Sequence, residues 1–110
     1  MKRISYSDDF IITADDVADA LLQYASILAR TEGSDVVEVP ALDHDGRLTT
    51  ASLVLGPASQ LIAVTEEHAP VEMDVTDALR YLNDRIDRLS THGGVPFEEV
   101  GSQDPYPDEY

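Results

Sequence analysis

The chain has 110 residues, of which 22 are acidic and 7 basic, and a formal net charge of −15. Such a field repels phosphate groups, so direct binding to nucleic acid or to an anionic membrane is not expected. The absence of cysteine excludes disulfides, thiolate zinc sites and thiol catalysis. The start, MKRISYSDDF, lacks the apolar segment of a secretion signal, and no stretch approaches the roughly 18 apolar residues of a membrane span. We therefore expect a cytoplasmic protein.

The first candidate element is the segment ISYSDDFIIT at 4–13. Its apolar residues Ile4, Tyr6, Phe10 and Ile12 stand at even positions. This alternation is typical of an added edge strand or of an irregular hairpin.

A helix is predicted over 13–32, TADDVADALLQYASILARTE. Thr13 is expected to act as its N-cap, and Gly33 is expected to end it in the left-handed conformation. The predicted apolar stripe consists of Val17, Leu21, Tyr24 and Leu28.

Three strand-like runs follow: DVVEVPAL at 35–42, LTTASLVL at 48–55 and QLIAVTE at 60–66. Their β-branched content and the intervening turns DHDG and GPAS favour an antiparallel meander.

The first turn sets a register. A three-residue loop of His44, Asp45 and Gly46, with Gly46 left-handed, places Leu42 opposite Leu48. The same register gathers one core face, formed by Val37, Val39, Ala41, Ala51, Leu53 and Leu55. A loop one residue shorter or longer would slip the pairing and mix Thr50 and Ser52 into that face.

The second turn, at 56–59, is expected to set the pairing of the second and third strand-like runs. A four-residue loop over 56–59, with Pro57 at its second position, places Leu53 opposite Ile62 and Ala51 opposite Val64. A five-residue loop would place Ala63 and Thr65 on the core face instead, and the four-residue loop gives the larger core.

A second helix is predicted over 74–91, with Asp74 as cap and Gly93 as stop. Asp84 precedes Arg88 by four residues, which is the favourable order for an ion pair. The predicted apolar stripe consists of Val75, Ala78, Leu79, Leu82, Ile86 and Leu89.

Residues 93–110 contain three prolines and several acids with little to bury, and we expect a disordered tail. Together the elements predict one α+β domain over 1–92, with the order (β)αβββα. Its architecture is a three-stranded antiparallel β-meander with two helices in two layers.

Two helices cover only one face of such a sheet, so the other face needs a cover. That face is flat and carries a single charge, and we expect it to be a homodimer interface. Its residues are Val36, Pro40, Leu42, Leu48, Thr50, Ser52, Val54, Leu61 and Ala63.

The connectivity also gathers acidic residues at one pole of the sheet. Oxygen and imidazole ligands there suit a divalent cation, which makes a metal-binding or small-ligand domain, possibly an enzyme, the alternative function. The candidate ligands are Asp43, His44, Asp45, Glu66 and His68.

No catalytic motif is present, and Ser59 with His92 lacks a third residue to orient the imidazole. The sequence therefore predicts a non-catalytic protein without a cofactor, acting through self-association or protein binding. Its tail, ending in DPYPDEY, is a possible docking segment for a protein partner.

Overall fold

The computed structural model describes residues 1–67 and 71–92. Within these residues the protein is α+β, with two helices and a five-stranded antiparallel sheet of strand order β4-β3-β2-β1-β5. The elements are β1 (Lys2–Tyr6), β2 (Asp9–Thr13), α1 (Asp15–Thr31), β3 (Asp35–Leu42), β4 (Leu48–Leu55), β5 (Ile62–Thr65) and α2 (Thr76–His92).

Helix α1 forms where its apolar periodicity predicts, and the predicted stripe residues Val17, Leu21, Tyr24 and Leu28 are all buried. Its start differs from the prediction. Thr13 belongs to β2, is fully buried, and donates its hydroxyl to the Pro40 carbonyl at 2.8 Å. The helix is therefore preceded by Ala14, which makes no side-chain capping bond.

The C-terminus of α1 also differs from the prediction. Glu32, and not Gly33, takes the left-handed conformation, with φ 57° and ψ 34°. Its backbone N–H donates to the Leu28 carbonyl, as in a helix terminated by a left-handed residue.

Helix α2 follows the predicted stripe, and Ala78, Leu82 and Ile86 are buried. The helix begins one residue later than predicted, since the Val75 carbonyl accepts its first bond, from the Leu79 N–H at 2.9 Å. Asp74 lies just before that position and accepts the backbone N–H of Thr76 at 3.0 Å. The predicted Asp84–Arg88 ion pair is present at 2.9 Å. Gly93, the predicted stop, and the tail 93–110 lie outside the described residues.

The β3–β4 hairpin has the predicted register. The backbone N–H of Asp43 donates to the Arg47 carbonyl at 2.9 Å, which closes a three-residue loop, and Gly46 has φ 81°. Leu42 accordingly lies opposite Leu48.

The predicted pairing of β4 with β5 is wrong. The Gly56–Ser59 turn does form, with the Ser59 N–H donating to the Gly56 carbonyl at 3.0 Å. The chain then crosses the molecule, and β5 pairs with β1, with Val64 opposite Arg3. The meander is thus replaced by a sheet in which β4 and β5 form opposite edges.

The N-terminal segment forms a hairpin at the centre of the sheet, which confirms the hairpin alternative but not an edge position. β1 lies between β2 and β5, and two ionic contacts join the N-terminal residues to neighbouring elements. Arg3 forms a salt bridge with Glu66 at 3.0 Å, directly after β5. The N-terminal amine likewise contacts Asp15 at 3.0 Å, at the start of α1.

Both helices lie on one face of the sheet. Helix α1 packs against β1 and β5, and α2 packs against α1 and β3. The fully buried Ile4 and the predicted face of the β3–β4 hairpin point toward the helices. Within the part of the chain that the structure describes, neither helix is long and apolar enough to cross a membrane.

The conformation of Glu32 predicts a stabilising substitution. Glu32→Gly should raise the free energy of unfolding by about 0.5–1 kcal/mol, because glycine adopts positive φ without the steric cost of a Cβ atom. The measurement is urea unfolding followed by circular dichroism. Glu32→Ala removes the same charge but keeps the Cβ atom, so an equal gain in that variant would contradict the explanation.

Candidate interaction surface

The sheet face opposite the helices is exposed over the β3–β4 hairpin. We call this surface the open face; its residues are Val36, Glu38, Pro40, Leu48, Thr50, Ser52 and Val54. Among them Val36, Leu48 and Val54 are 60%, 55% and 73% exposed. Three large apolar side chains therefore lie on one hairpin surface that carries one charged residue.

Three residues predicted for this surface are not part of the exposed face. Leu42 shares the side of the sheet with its partner Leu48 but is fully buried, and it pairs with Ile12 of β2. Ala63 pairs with the buried Ile4, on the face that the helices cover, and Leu61 packs against the core.

Leu61 and Ala63 differ from the prediction because β5 pairs with β1 and not with β4. Ile62 and Val64, predicted as core, are 62% and 49% exposed, because pairing with β1 turns them to the side away from the helices. A shift of one position moves every side chain of a strand to the other face. No local signal in QLIAVTE distinguishes the two choices.

The predicted acidic residues partly converge. Asp43, His44, Asp45 and Glu66 line one cavity of about 330 Å³, together with Arg3. His68 lies outside the described residues. The predicted reason for this convergence is wrong, because β5 pairs with β1 and runs opposite to the direction that the meander gave it. Glu66 reaches the cavity beside Arg3, to which it is bound by a salt bridge.

The side chains of Asp43 and His44 already form hydrogen bonds with other groups of the protein. Asp43 accepts the backbone N–H groups of Asp45 at 2.9 Å and Arg47 at 3.0 Å, and the Arg47 bond is the main cause that lowers the pKa of Asp43. His44 Nε2 donates to Asp9 at 2.6 Å. Across residues 1–67 and 71–92, no group of three or more histidine and acidic residues is placed to hold a metal ion.

The histidine also takes part in a ring contact that sequence reasoning missed. Phe10 stacks on His44 with ring centroids 4.7 Å apart, and the Arg3 guanidinium lies 5.2 Å from the Phe10 ring centre. These groups cover the end of the sheet near the β3–β4 turn. The even spacing of Phe10 and Ile12 was the available signal for this strand face.

A second missed cluster joins both helices to β3. Asp35 accepts hydrogen bonds from the hydroxyl of Tyr24 on α1 at 2.6 Å and from the hydroxyl of Tyr81 on α2 at 2.5 Å. Arg85 donates to the Tyr24 oxygen at 3.3 Å. The three elements meet at one carboxylate oxygen.

The cluster keeps its groups in fixed protonation states. Burial raises the pKa of Asp35, but hydrogen bonds from Tyr24, Tyr81 and the backbone of Val36 outweigh it, so the net shift is downward. The hydrogen bond to Asp35, followed by burial, raises the pKa of Tyr81 to about 12. Burial, followed by the bond to Asp35, raises the pKa of Tyr24.

Such a carboxylate is a poor general base, because its lone pairs are committed to strong donors and its pKa lies far below neutrality. Its evident effect is structural: it ties the two helices to the start of β3. Helical spacing placed Tyr24 on the apolar stripe of α1, and nothing in the local sequence linked Tyr24 or Tyr81 to Asp35.

A cavity beside the loop at 56–60 measures about 490 Å³ and is lined mainly by 53–61 with Tyr6 and Ser7. The Ser59 hydroxyl in this loop is used internally. It accepts the backbone N–H of Gly56 at 2.8 Å and donates to the Val54 carbonyl at 3.4 Å. Ser59 thus fixes the turn at the end of β4.

Comparison with protein-family models, with curated proteins and with solved structures found no match. The geometry of the described residues is therefore the basis for the function proposed below.

The Asp35 cluster predicts an acid-dependent loss of stability. Asp35→Asn should lower the free energy of unfolding near neutral pH by about 1.5–3 kcal/mol, the value of hydrogen bonds to a charged group. Because the pKa of Asp35 is lower in the folded chain, its contribution is present above the unfolded value of about 3.9 and is lost as the pH falls through the folded value. The difference between wild type and variant should therefore shrink in acid.

Urea unfolding at neutral and at acid pH measures this difference. Asp45→Asn, at an exposed turn position, is the matched control and should stay within about 0.5 kcal/mol of wild type. A difference between wild type and Asp35→Asn that does not change with pH would contradict the role assigned to the ionised carboxylate.

Proposed function

We propose that this is a non-catalytic protein that acts by associating with a second copy of itself through the β3–β4 hairpin, which carries the open face. The main support for the proposal is the exposure of Val36, Leu48 and Val54 on one strand pair. Apolar surface gathered in this way on a small chain is typical of an association surface.

The charge distribution supports this choice of surface. The chain carries a net charge of −15, so two copies repel each other over most of their surfaces. Glu38 is the one charged residue among the seven residues of the open face. The Ser52 hydroxyl donates to its carboxylate at 3.4 Å. The open face is thus a surface where two copies meet with little opposition of like charges.

The polar residues of the open face are small. Thr50 and Ser52 are exposed, and neither carries a charge that would have to be desolvated on association. A cytoplasmic location and a docking role for residues 93–110 remain predictions from the sequence.

Light scattering at micromolar concentration tests the proposal. The wild-type chain should have twice the monomer mass of 12.0 kDa. Val54→Arg should raise the dimer Kd by about 100-fold or more, because it replaces an apolar side chain of the contact by a charged one.

Ile62→Arg is the matched control, since Ile62 has a similar exposure but lies on β5 at the opposite sheet edge. It adds the same charge and should leave the dimer intact. A monomeric wild-type chain, or equal dissociation by both substitutions, would overturn the proposal.

The charge of the chain also predicts how association responds to salt. Because the contact is apolar and the two copies repel each other, raising sodium chloride from about 20 mM to about 500 mM should tighten the dimer through screening. Analytical ultracentrifugation gives the Kd at each concentration. Weakening with salt would indicate a contact held by ion pairs instead.

A further inference from the structure

β4 is the outermost strand on its side of the sheet, and its backbone groups alternate in direction. The bond from the Asp43 N–H to the Arg47 carbonyl identifies 43 and 47 as a hydrogen-bonded pair. Alternation along the antiparallel ladder then makes Leu48 and its partner Leu42 a non-hydrogen-bonded pair. The same holds for every second residue, so four residues of β4 direct their N–H and C=O groups away from β3: Leu48, Thr50, Ser52 and Val54.

Pro40 is consistent with this assignment. It lies opposite Thr50 and has no N–H to give to the ladder, and its carbonyl accepts the Thr13 hydroxyl on the other side of β3.

The free edge of β4 lacks the usual protection against strand pairing. Natural edge strands carry charged residues, prolines or bulges that block a further strand. The eight residues LTTASLVL contain no charge and no proline, and their pairing with β3 is continuous from Leu48 to Leu55. The Val54 carbonyl at this edge accepts the Ser59 hydroxyl at 3.4 Å.

The side chains of the edge are complementary to themselves. In an antiparallel pair of β4 strands related by a two-fold axis at Ala51, Leu48 lies opposite the partner's Val54. Thr50 lies opposite the partner's Ser52. This register pairs outward-directed groups with outward-directed groups and covers the two most exposed apolar residues of the strand with each other.

We propose that two copies of the chain pair through the free edges of β4 in this register. The two five-stranded sheets then form one continuous antiparallel sheet of ten strands. The inference rests on the proposed self-association and specifies its geometry: the β4 edges pair, and the open faces of the two copies adjoin in one sheet surface.

The charge distribution and the two-fold symmetry of the contact both favour a second copy of the chain as the partner at the β4 edge. Glu38 of each copy is separated from its counterpart by three strand spacings, about 14 Å, which exceeds the screening length of about 8 Å at physiological salt. A two-fold contact of β4 with β4 closes on itself, whereas a contact of β4 with the partner's β5 would propagate into a filament. β5 has four residues, so its edge can form fewer backbone hydrogen bonds with a further strand than the edge of β4 can.

Cross-linking in the full-length chain tests the register, because the chain contains no cysteine of its own. In Ala51→Cys the two thiols face each other in a non-hydrogen-bonded pair with Cα atoms about 4.5 Å apart, within the range of a disulfide. Mild oxidation should convert most of this variant into a covalent dimer. In Thr49→Cys the two thiols are offset by four residues, about 13 Å, and should not cross-link.

A second variant tests the backbone bonds. Ser52→Pro removes an outward N–H that β3 does not use, and should raise the dimer Kd by about tenfold or more. The cross-link of Ala51→Cys is an independent measurement if the proline variant fails to fold.

The outcomes separate this inference from the proposed function. A dimer by light scattering in which Ala51→Cys does not cross-link overturns edge pairing, while self-association stands. Equal cross-linking of both cysteine variants overturns the register. A monomeric wild-type chain overturns both proposals.

Discussion

The three-residue turn at 44–46 is the constraint on which the surface of this protein depends. The bond between Asp43 and Arg47, together with the left-handed Gly46, sets the register of the β3–β4 hairpin. That register turns Val37 and Leu53 toward the helices. It also determines which backbone groups of β4 point outward, so the same turn decides the core and the free edge.

The placement of both helices on one side of the sheet has the complementary effect. Asp35 receives hydroxyl groups from Tyr24 and Tyr81 and thereby ties the two helices to β3. A covered face and an open face are the direct result. The open face keeps Val36, Leu48 and Val54 in water, an arrangement that costs free energy unless another surface covers it.

Much of the architecture was predictable, but the candidate surface only in part. The stripes of both helices and the register of the first hairpin are confirmed, since periodicity and turn chemistry act within a few residues. The meander was wrong because the Gly56–Ser59 turn forms without joining adjacent strands. The assignments of Leu61 and Ala63 to the open face failed with it, while Val36, Leu48 and Val54 are exposed as expected.

The sequence by itself determined the elements whose causes are local: two amphipathic helices and one hairpin with its register. Only the tertiary structure decided which strand β5 joins. Its partner β1 is about 60 residues away in the chain, and the Arg3–Glu66 ion pair that accompanies the pairing spans 63 positions. A contact over that distance depends on the packing of the whole chain, so no pattern within either segment encodes it.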